Sequence, residues 1–392
     1  MTKNATKNVL FIGHSAHRSG APIVLLDFLR WLRQHDDLRF DVNVVEGGAL
    51  LPEFRALATT EVLRRPPGFS NRIARRVVGR DRSIAAEDRA FARRVKAGGY
   101  DLVYVNTVVP KREMLALAET GIPIICHVHE LDSAVTQWLG EEGLLRVVPR
   151  VSHFIAASAG VQDYLVRRWH VSASKISTVH SFATTDVGAT DVSAARQALR
   201  STLGLSDNDI LIGGCGTLDW RKGADLFIQV ARLVVDGLRG RKAHFIWLGA
   251  DQGSLDYRRF LHDVRACGLA DAVTVLPNRP NPAEVFAGMD IFALTSREDP
   301  FPLVMLEAAS MCIPVVCFEA SGGGPEFVGS DAGLKAPYLD VAAFARHVLS
   351  LASDARMRES VGVAARRKVL EHFMLEQQAP KLRDVINDQL AR

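Results

Sequence analysis

Short apolar runs of strand length alternate with longer helix-patterned segments along almost the whole chain, and few folds tolerate that pattern. "NVLFIGH" (8–14) precedes "APIVLLDFLRWLRQH", "DLVYVN" (101–106) precedes "KREMLALAETG", and "IPIICHVHE" (122–130) and "HFIAAS" (153–158) follow. Each strand returns to the sheet through a helix, so the strands run parallel and helices cover both faces. A polar stretch at 183–209 breaks the alternation. It restarts with "ILIGGCG" (210–216), "AHFIWLG" (243–249), "AVTVLP" (272–277), "MDIFALTS" (289–296) and "IPVVCFE" (313–319). We therefore expect an α/β protein of two Rossmann-like, doubly wound parallel-sheet domains facing a central cleft. The boundaries read 1–183 and 184–370, with the interdomain linker near the start of the second, followed by a helical tail at 371–392. A length of 392 residues agrees, being long for one core. In open parallel sheets ligands bind beyond the carboxyl ends of the strands, so the chemistry belongs in strand-to-helix loops.

Composition narrows the class further. With 48% apolar and 23% charged residues the chain is neither disordered nor fibrous. The five cysteines lie in or beside apolar segments without a C-x-x-C pair and read as reduced core residues, which suggests a cytosolic compartment. The first apolar run is too short for a signal peptide or a membrane span, so a cytoplasmic location is expected. The formal charge is only +4, but residues 64–96 hold eleven basic side chains against three acidic ones. Within that segment Phe69, Ile73 and Val77 recur every four residues among arginines, a stripe suited to docking on anionic lipid at the inner face of a membrane. A solvated charged face fits equally, and sparse aromatics argue against nucleic acid.

Four loops carry candidate chemistry. In "GHSAHRSGAPIVLL", Gly20 and Ala21 open a helix whose first amides suit an anion, although Ser-Gly is also ordinary helix-start chemistry. In "HVHEL", alternation sends His127 and His129 to one side of a strand. His129 is the better site candidate, and His127 fits a structural role as well. His129 and Glu130 lack a third metal ligand at suitable spacing. In "GGCGTLDWRKGADLF", Asp219 replaces the last glycine of a dinucleotide fingerprint, while Arg221 and Lys222 stand at a helix mouth and suit a diphosphate. In "SREDPFPLVMLEAAS", Glu298 and Asp299 end a strand loop, Pro300 and Pro302 stiffen the chain around Phe301, and Pro302 suits the first helical position. The amides of Leu303 and Val304 are then free to bind oxygen. Glu307 sits on an apolar stretch, where an unpaired carboxylate is costly unless hydroxyl groups of a sugar or ribose satisfy it.

Together these loops resemble the retaining GT-B glycosyltransferases of glycosyltransferase family 4, most strongly over 210–330. The family's Glu-x7-Glu becomes Asp299 and Glu307 with "PFPLVML" between. Asp299 is a departure, and Glu298 next door competes for the first acidic position. Thr217 stands after Gly216 where the family commonly has Arg, a charge that Arg221 can replace. The resemblance implies ribose contact by Glu307, donor-sugar contact by Asp299, pyrophosphate binding by Lys222, a place near the sugar for His129, and closure over the diphosphate by the turn at Gly20. It implies a nucleoside diphosphate sugar as donor, no metal and no other cofactor, and a glycan or lipid-linked glycan acceptor in bacterial surface polysaccharide synthesis. A nucleotide-sugar 2-epimerase of the same architecture and a non-catalytic nucleotide-sugar binding protein remain alternatives. The broken glycine fingerprint disfavours an NAD enzyme.

Overall fold

The computed structural model describes residues 7–64, 80–184, 191–238, 241–279 and 281–392. The chain forms two compact units, Met1–His180 with Gln378–Arg392, and Ser181–Gln377. The sheet of the first unit contains β1 (Asn8–Ser15), β2 (Arg39–Glu46), β3 (Thr60–Val62), β4 (Leu102–Asn106), β5 (Ile124–Val128), β6 (His153–Ala156) and β7 (Ile176–Thr178). That of the second contains β8 (Ile210–Cys215), β9 (Ala243–Ala250), β10 (Val273–Pro277), β11 (Ile291–Leu294), β12 (Val315–Phe318) and β13 (Gly333–Ala336). The strand orders are β3-β2-β1-β4-β5-β6-β7 and β10-β9-β8-β11-β12-β13. All paired strands are parallel. Both sheets therefore wind outward in two directions, as expected from the alternation. Each order reverses at one place, between β1 and β4 in the first sheet and between β8 and β11 in the second. A crevice opens at such a reversal because the two flanking loops run to opposite faces.

The central strands β4, β5, β11 and β12 are buried at every position. Helices cover both of their faces, so these strands read as continuous apolar runs. In the second unit Phe227 meets Phe245 and Trp247 edge-on, with ring centroids 5.3 and 5.1 Å apart. That arrangement suits the aromatic quadrupole and packs the helix Ala224–Gly237 against the sheet.

The polar stretch at 183–209 contains a helix, Val192–Thr202, which belongs to the second unit. Its start is capped by Asp191, whose side chain accepts from Ala194 N at 3.0 Å. The helix Leu375–Leu390 leaves the second unit at Gln377 and continues in the first. Residues 371–392, expected as a separate tail, are divided between the two units. Asp209 closes the turn before β8 by accepting from Ser206 N at 2.7 Å and Lys242 N at 3.1 Å. Among the described residues, no helix is long and apolar enough to cross a membrane. Of the basic segment, the helix Arg80–Ala97 is seen; the proposed stripe of Phe69, Ile73 and Val77 lies outside the described residues.

Candidate functional sites in the two units

In the second unit, β8 ends at Cys215 and the chain enters "GTLDWRKG". Asp219, the residue that spoils the glycine fingerprint, caps the single turn Trp220–Lys222 by accepting from Lys222 N at 2.9 Å. Thr217 Oγ1 donates to its other oxygen at 2.6 Å. Gly223 follows with φ +65°, and a Cβ there would lie 2.0 Å from the carbonyl oxygen of Thr295. Only glycine lets the loop after β8 lie against the loop after β11. The two loops are also bonded, since Arg221 O accepts from Arg297 N at 2.8 Å and Glu298 N at 3.3 Å.

This scaffold brings Lys222 Nζ to 2.6 Å from Asp299 Oδ2 and Arg221 Nη1 to 3.9 Å from Asp299 Oδ1. Ser296 Oγ donates to the same carboxylate at 3.2 Å. Asp299 is held from behind by its own backbone, N to Ser321 O at 2.7 Å and O from Gly323 N at 2.9 Å. The Lys222 and Asp299 side chains are 14% and 5% exposed, so the pair is screened little by water. Of the two adjacent acids, Asp299 is the one whose carboxylate meets Lys222, while Glu298 offers its carbonyl to Arg221 Nη1 at 3.2 Å.

The helix Leu303–Ser310 begins one residue later than the proline pattern suggested, with Pro302 as its cap residue instead of its first helical residue. Pro302 has no side-chain donor or acceptor, so the first amides of Leu303 and Val304 are left for other partners. Phe301 does not face the loop surface. It is 4% exposed and packs its ring 5.2 Å from that of Phe373, filling core beneath the turn.

Glu307, on the same helix, is half-buried and makes no hydrogen bond or ion pair with any described residue. Burial pushes its carboxyl up to about 7 from an ordinary 4.5. It lies close enough to Cys215 to help push that thiol, already raised by burial, up to about 12. The carboxyl is protonated in the folded chain and ionised in the unfolded chain between those two values. Its contribution to stability is thus complete below pH 4.5 and lost as pH rises through about 7. Glu307→Gln is therefore expected to raise stability at pH 8, by about 1–3 kcal/mol, and to leave it nearly unchanged at pH 4. Urea midpoints at the two pH values test this, and equal shifts at both would mean that the carboxylate is solvated.

In the first unit the reversal between β1 and β4 carries the other candidates. Gly13 of β1, Asn106 of β4 and His127 of β5 stand in one row across the sheet. Asn106 joins the expected residues, donating from Nδ2 to Ala21 O at 2.8 Å and pairing through Oδ1 with His129 Nε2 at 3.0 Å. The helix Gly20–His35 thereby starts at a fixed place beside His129, and Ser19 at its cap makes no side-chain bond to the first amides. Thr107, next to Asn106, has φ +99°, a genuine outlier for a β-branched residue. Its hydroxyl donates to the buried Glu130 carboxylate, which also accepts from His129 N at 3.0 Å and Val108 N at 3.3 Å. Glu130 is thus engaged in clamping the ends of β4 and β5.

His127 is fully buried with Nδ1 2.6 Å from Tyr104 Oη and Nε2 unpartnered, which matches the structural reading of that residue. His129 stacks obliquely on it at 3.9 Å. Burial, with a smaller effect from His14, pushes His129 down to about 3, so its imidazole is neutral near pH 7. Asn106, Ser296 and His14 were missed by the sequence reading. The available signal was position, since Asn106 and His14 close strands flanking the first reversal and Ser296 follows β11 at the second.

Two family models match the chain: Glycosyltransferase Family 4 over residues 18–187 and Glycosyl transferases group 1 over residues 209–354. The D-inositol 3-phosphate glycosyltransferase of Mycobacteroides abscessus is 30% identical over 256 residues, 61% of this chain and 56% of that protein. That of Stackebrandtia nassauensis is 27% identical over 64% of this chain and 60% of its own length. The chain thus spans less than two thirds of these curated relatives. Among solved structures, Anabaena Alr3699/HepE in complex with UDP and glucose superposes with a TM-score of 0.78 at 20% identity, over 97% of this chain and 100% of that one. WaaG, a glycosyltransferase involved in lipopolysaccharide biosynthesis, gives 0.72 at 14% identity over 96% and 99%. At such identities the likeness speaks for the fold. Two adjoining stretches of the chain thus match the family 4 and group 1 glycosyltransferase models, and its two doubly wound sheets give it the GT-B fold.

Proposed function

We propose that the protein transfers a sugar from a nucleoside diphosphate sugar to an acceptor hydroxyl, with the anomeric configuration retained. One observation carries this reading. At the reversal between β8 and β11, Lys222 and Arg221 converge on Asp299, and the same unit holds a half-buried Glu307 without a partner among the described residues. Expelling a diphosphate builds negative charge on its oxygens. Lys222, Arg221 and the first amides after Pro302 are fixed cations and dipoles that stabilise such charge without rearranging. These groups do the work otherwise given to a metal, so the reaction is proposed to be metal-independent. Glu307 accepts from ribose hydroxyls, and Asp299 accepts from a hydroxyl of the donor sugar once a phosphate has drawn Lys222 away. Glu298 frames that loop. Within the first unit, the helix start at Gly20 and Ala21 offers amides that suit an anion, and His129 offers a neutral imidazole that suits a sugar hydroxyl.

Support for a UDP sugar comes from the Anabaena protein, whose structures contain UDP with glucose and UDP-glucose. WaaG acts in lipopolysaccharide biosynthesis, which favours a glycan or lipid-linked glycan acceptor in bacterial surface polysaccharide synthesis. The basic 64–96 segment then makes peripheral contact with anionic lipid at the cytoplasmic face, a point that sedimentation with anionic vesicles decides.

The decisive experiment is a thermal-shift panel with UDP, GDP, dTDP and NAD in EDTA, followed by turnover of the matching nucleotide sugar. A ligand at ~100 times its dissociation constant adds about 2.7 kcal/mol, several degrees for a protein of this size. A shift with one nucleoside diphosphate is expected, and no shift at saturation sinks the donor reading. Donor consumed without an acceptor marks an epimerase instead, and an NMR spectrum of the product reads the anomeric outcome.

A further inference from the structure

Trp220 begins the turn that carries Arg221 and Lys222, yet it is 58% exposed. It is not loose. The Arg297 guanidinium lies 5.2 Å from the indole centroid and donates to Trp220 O at 2.9 Å. Asp225 grips the same guanidinium with both oxygens, at 2.8 and 2.7 Å. With a cation against one face of the ring, the exposed part is its other face and its edge. Tyr338 is 45% exposed and donates its hydroxyl to Arg297 O at 3.4 Å. Leu339 beside it is 40% exposed and held at φ +60°, a backbone region that non-glycine residues occupy under constraint. Two exposed aromatic rings thus both contact Arg297, one through its guanidinium and one through its carbonyl, and nothing in the donor chemistry uses them.

We propose that Trp220 and Tyr338 form a glycan-binding platform on the second unit, separate from the donor site, that takes the C–H face of hexopyranose rings. Three considerations select this ligand. The exposed parts of Trp220, Tyr338 and Leu339 amount to roughly 300 Å², far short of the ~800 Å² per partner of a stable protein interface, but ample for one or two sugar rings. Arg297, the cation described against the ring, is held by both oxygens of Asp225, which leaves it little charge to attract a phosphate or a lipid headgroup. An electron-rich ring face attracts the weakly positive C–H groups on one side of a pyranose. Asp219 precedes Trp220 in the chain and Asp225 holds the guanidinium that lies against the ring; both carboxylates are half-exposed, and their remaining lone pairs can accept from hydroxyls at the sugar's rim. The choice of a glycan rests on the proposed transferase function; the binding measurement does not need the donor.

The test follows the Trp220 indole N–H signal by NMR, assigned by its absence in Trp220→Ala, while maltohexaose, cellohexaose and mannohexaose are titrated without nucleotide. At least one is expected to move that signal with a dissociation constant of about 1 mM. By calorimetry Trp220→Ala and Tyr338→Ala should each weaken binding about tenfold, Trp220→Phe should retain it, and the thermal shift with UDP should be unchanged in all three. No shift of the indole signal by any of the three glycans up to ~10 mM, or equal affinity in Trp220→Ala, overturns the platform. It is overturned equally if UDP moves the indole signal and Trp220→Ala abolishes UDP binding, because the ring then belongs to the donor site. Glycan binding without any UDP response would reject the donor reading and leave the platform standing.

Discussion

Replacing Lys222 with alanine is expected to lower turnover of the nucleotide sugar by about 10²–10³-fold, with the larger part of the loss in kcat. Among the described residues Lys222 is the cation nearest the Asp299 carboxylate, at 2.6 Å, and Arg221 stands back at 3.9 Å. Arg221 therefore compensates only in part for the lost charge. The same change leaves Asp299 buried with a serine hydroxyl and a distant guanidinium, so some stability is lost as well. Two further variants separate those effects. Lys222→Arg keeps the charge but spreads it over a planar group with different reach and donor geometry, and partial activity is expected. Asp299→Asn frees Lys222 from its partner, so UDP binding should hold or tighten while transfer falls. Steady-state kinetics with UDP calorimetry on the three variants resolves the matter. Turnover of Lys222→Ala within about fivefold of the parent would remove Lys222 from the mechanism.

Legibility of this chain followed burial. The strands read directly from sequence were β1, β4, β5, β6, β8, β9, β10, β11 and β12, most of them continuous apolar runs covered on both faces. β2 was passed over because "RFDVNVVE" mixes Asp41 and Asn43 into its apolar positions. β3 and β7 have three residues each, too few to show a period. β13 opens on Gly333, where a side chain would strike Val315 O, so steric need placed a weak strand former there. Site residues followed a different rule. Lys222, Asp299 and Glu307 stood out because charge is anomalous beside apolar segments. Asn106 and Ser296 are unremarkable alone and acquire meaning only from the strand ends they occupy, which requires the sheet order. Phe301 lies in the same motif, yet its ring completes the core with Phe373, a contact that no local spacing announces.

Asp290→Ala is expected to destabilise the second unit by about 3–5 kcal/mol without altering the turnover of each folded molecule. Asp290 immediately precedes β11, and its backbone N donates to Leu211 O at 2.8 Å while its Oδ2 accepts from Leu211 N at 2.8 Å. The same carboxylate pairs with Arg196 at 2.6 Å and Arg200 at 3.0 Å. Arg200 is 3% exposed and also donates to the carbonyls of Ser206 and Asp209 at 2.6 and 2.7 Å. Removing the acid strands a buried guanidinium among carbonyls. Asp290→Asn, which keeps the shape and loses the charge, should cost about half as much. Equilibrium unfolding in urea, followed by the fluorescence of buried Trp247, measures the loss, and a cost under ~1 kcal/mol would mean that water reaches Arg200. The physical interest lies in where this network sits. It ties the entering end of β11 to its neighbour β8, the same two strands whose leaving ends present Asp299 and Lys222. A rigid entering end holds the two exit loops in register, so a unit still folded at the assay temperature should keep its activity even as its margin of stability shrinks. Were activity instead to fall in step with stability while the protein remained folded, the register of β8 and β11 would itself be labile, and the ion pair at their exit would be set by the ligand instead of by the sheet.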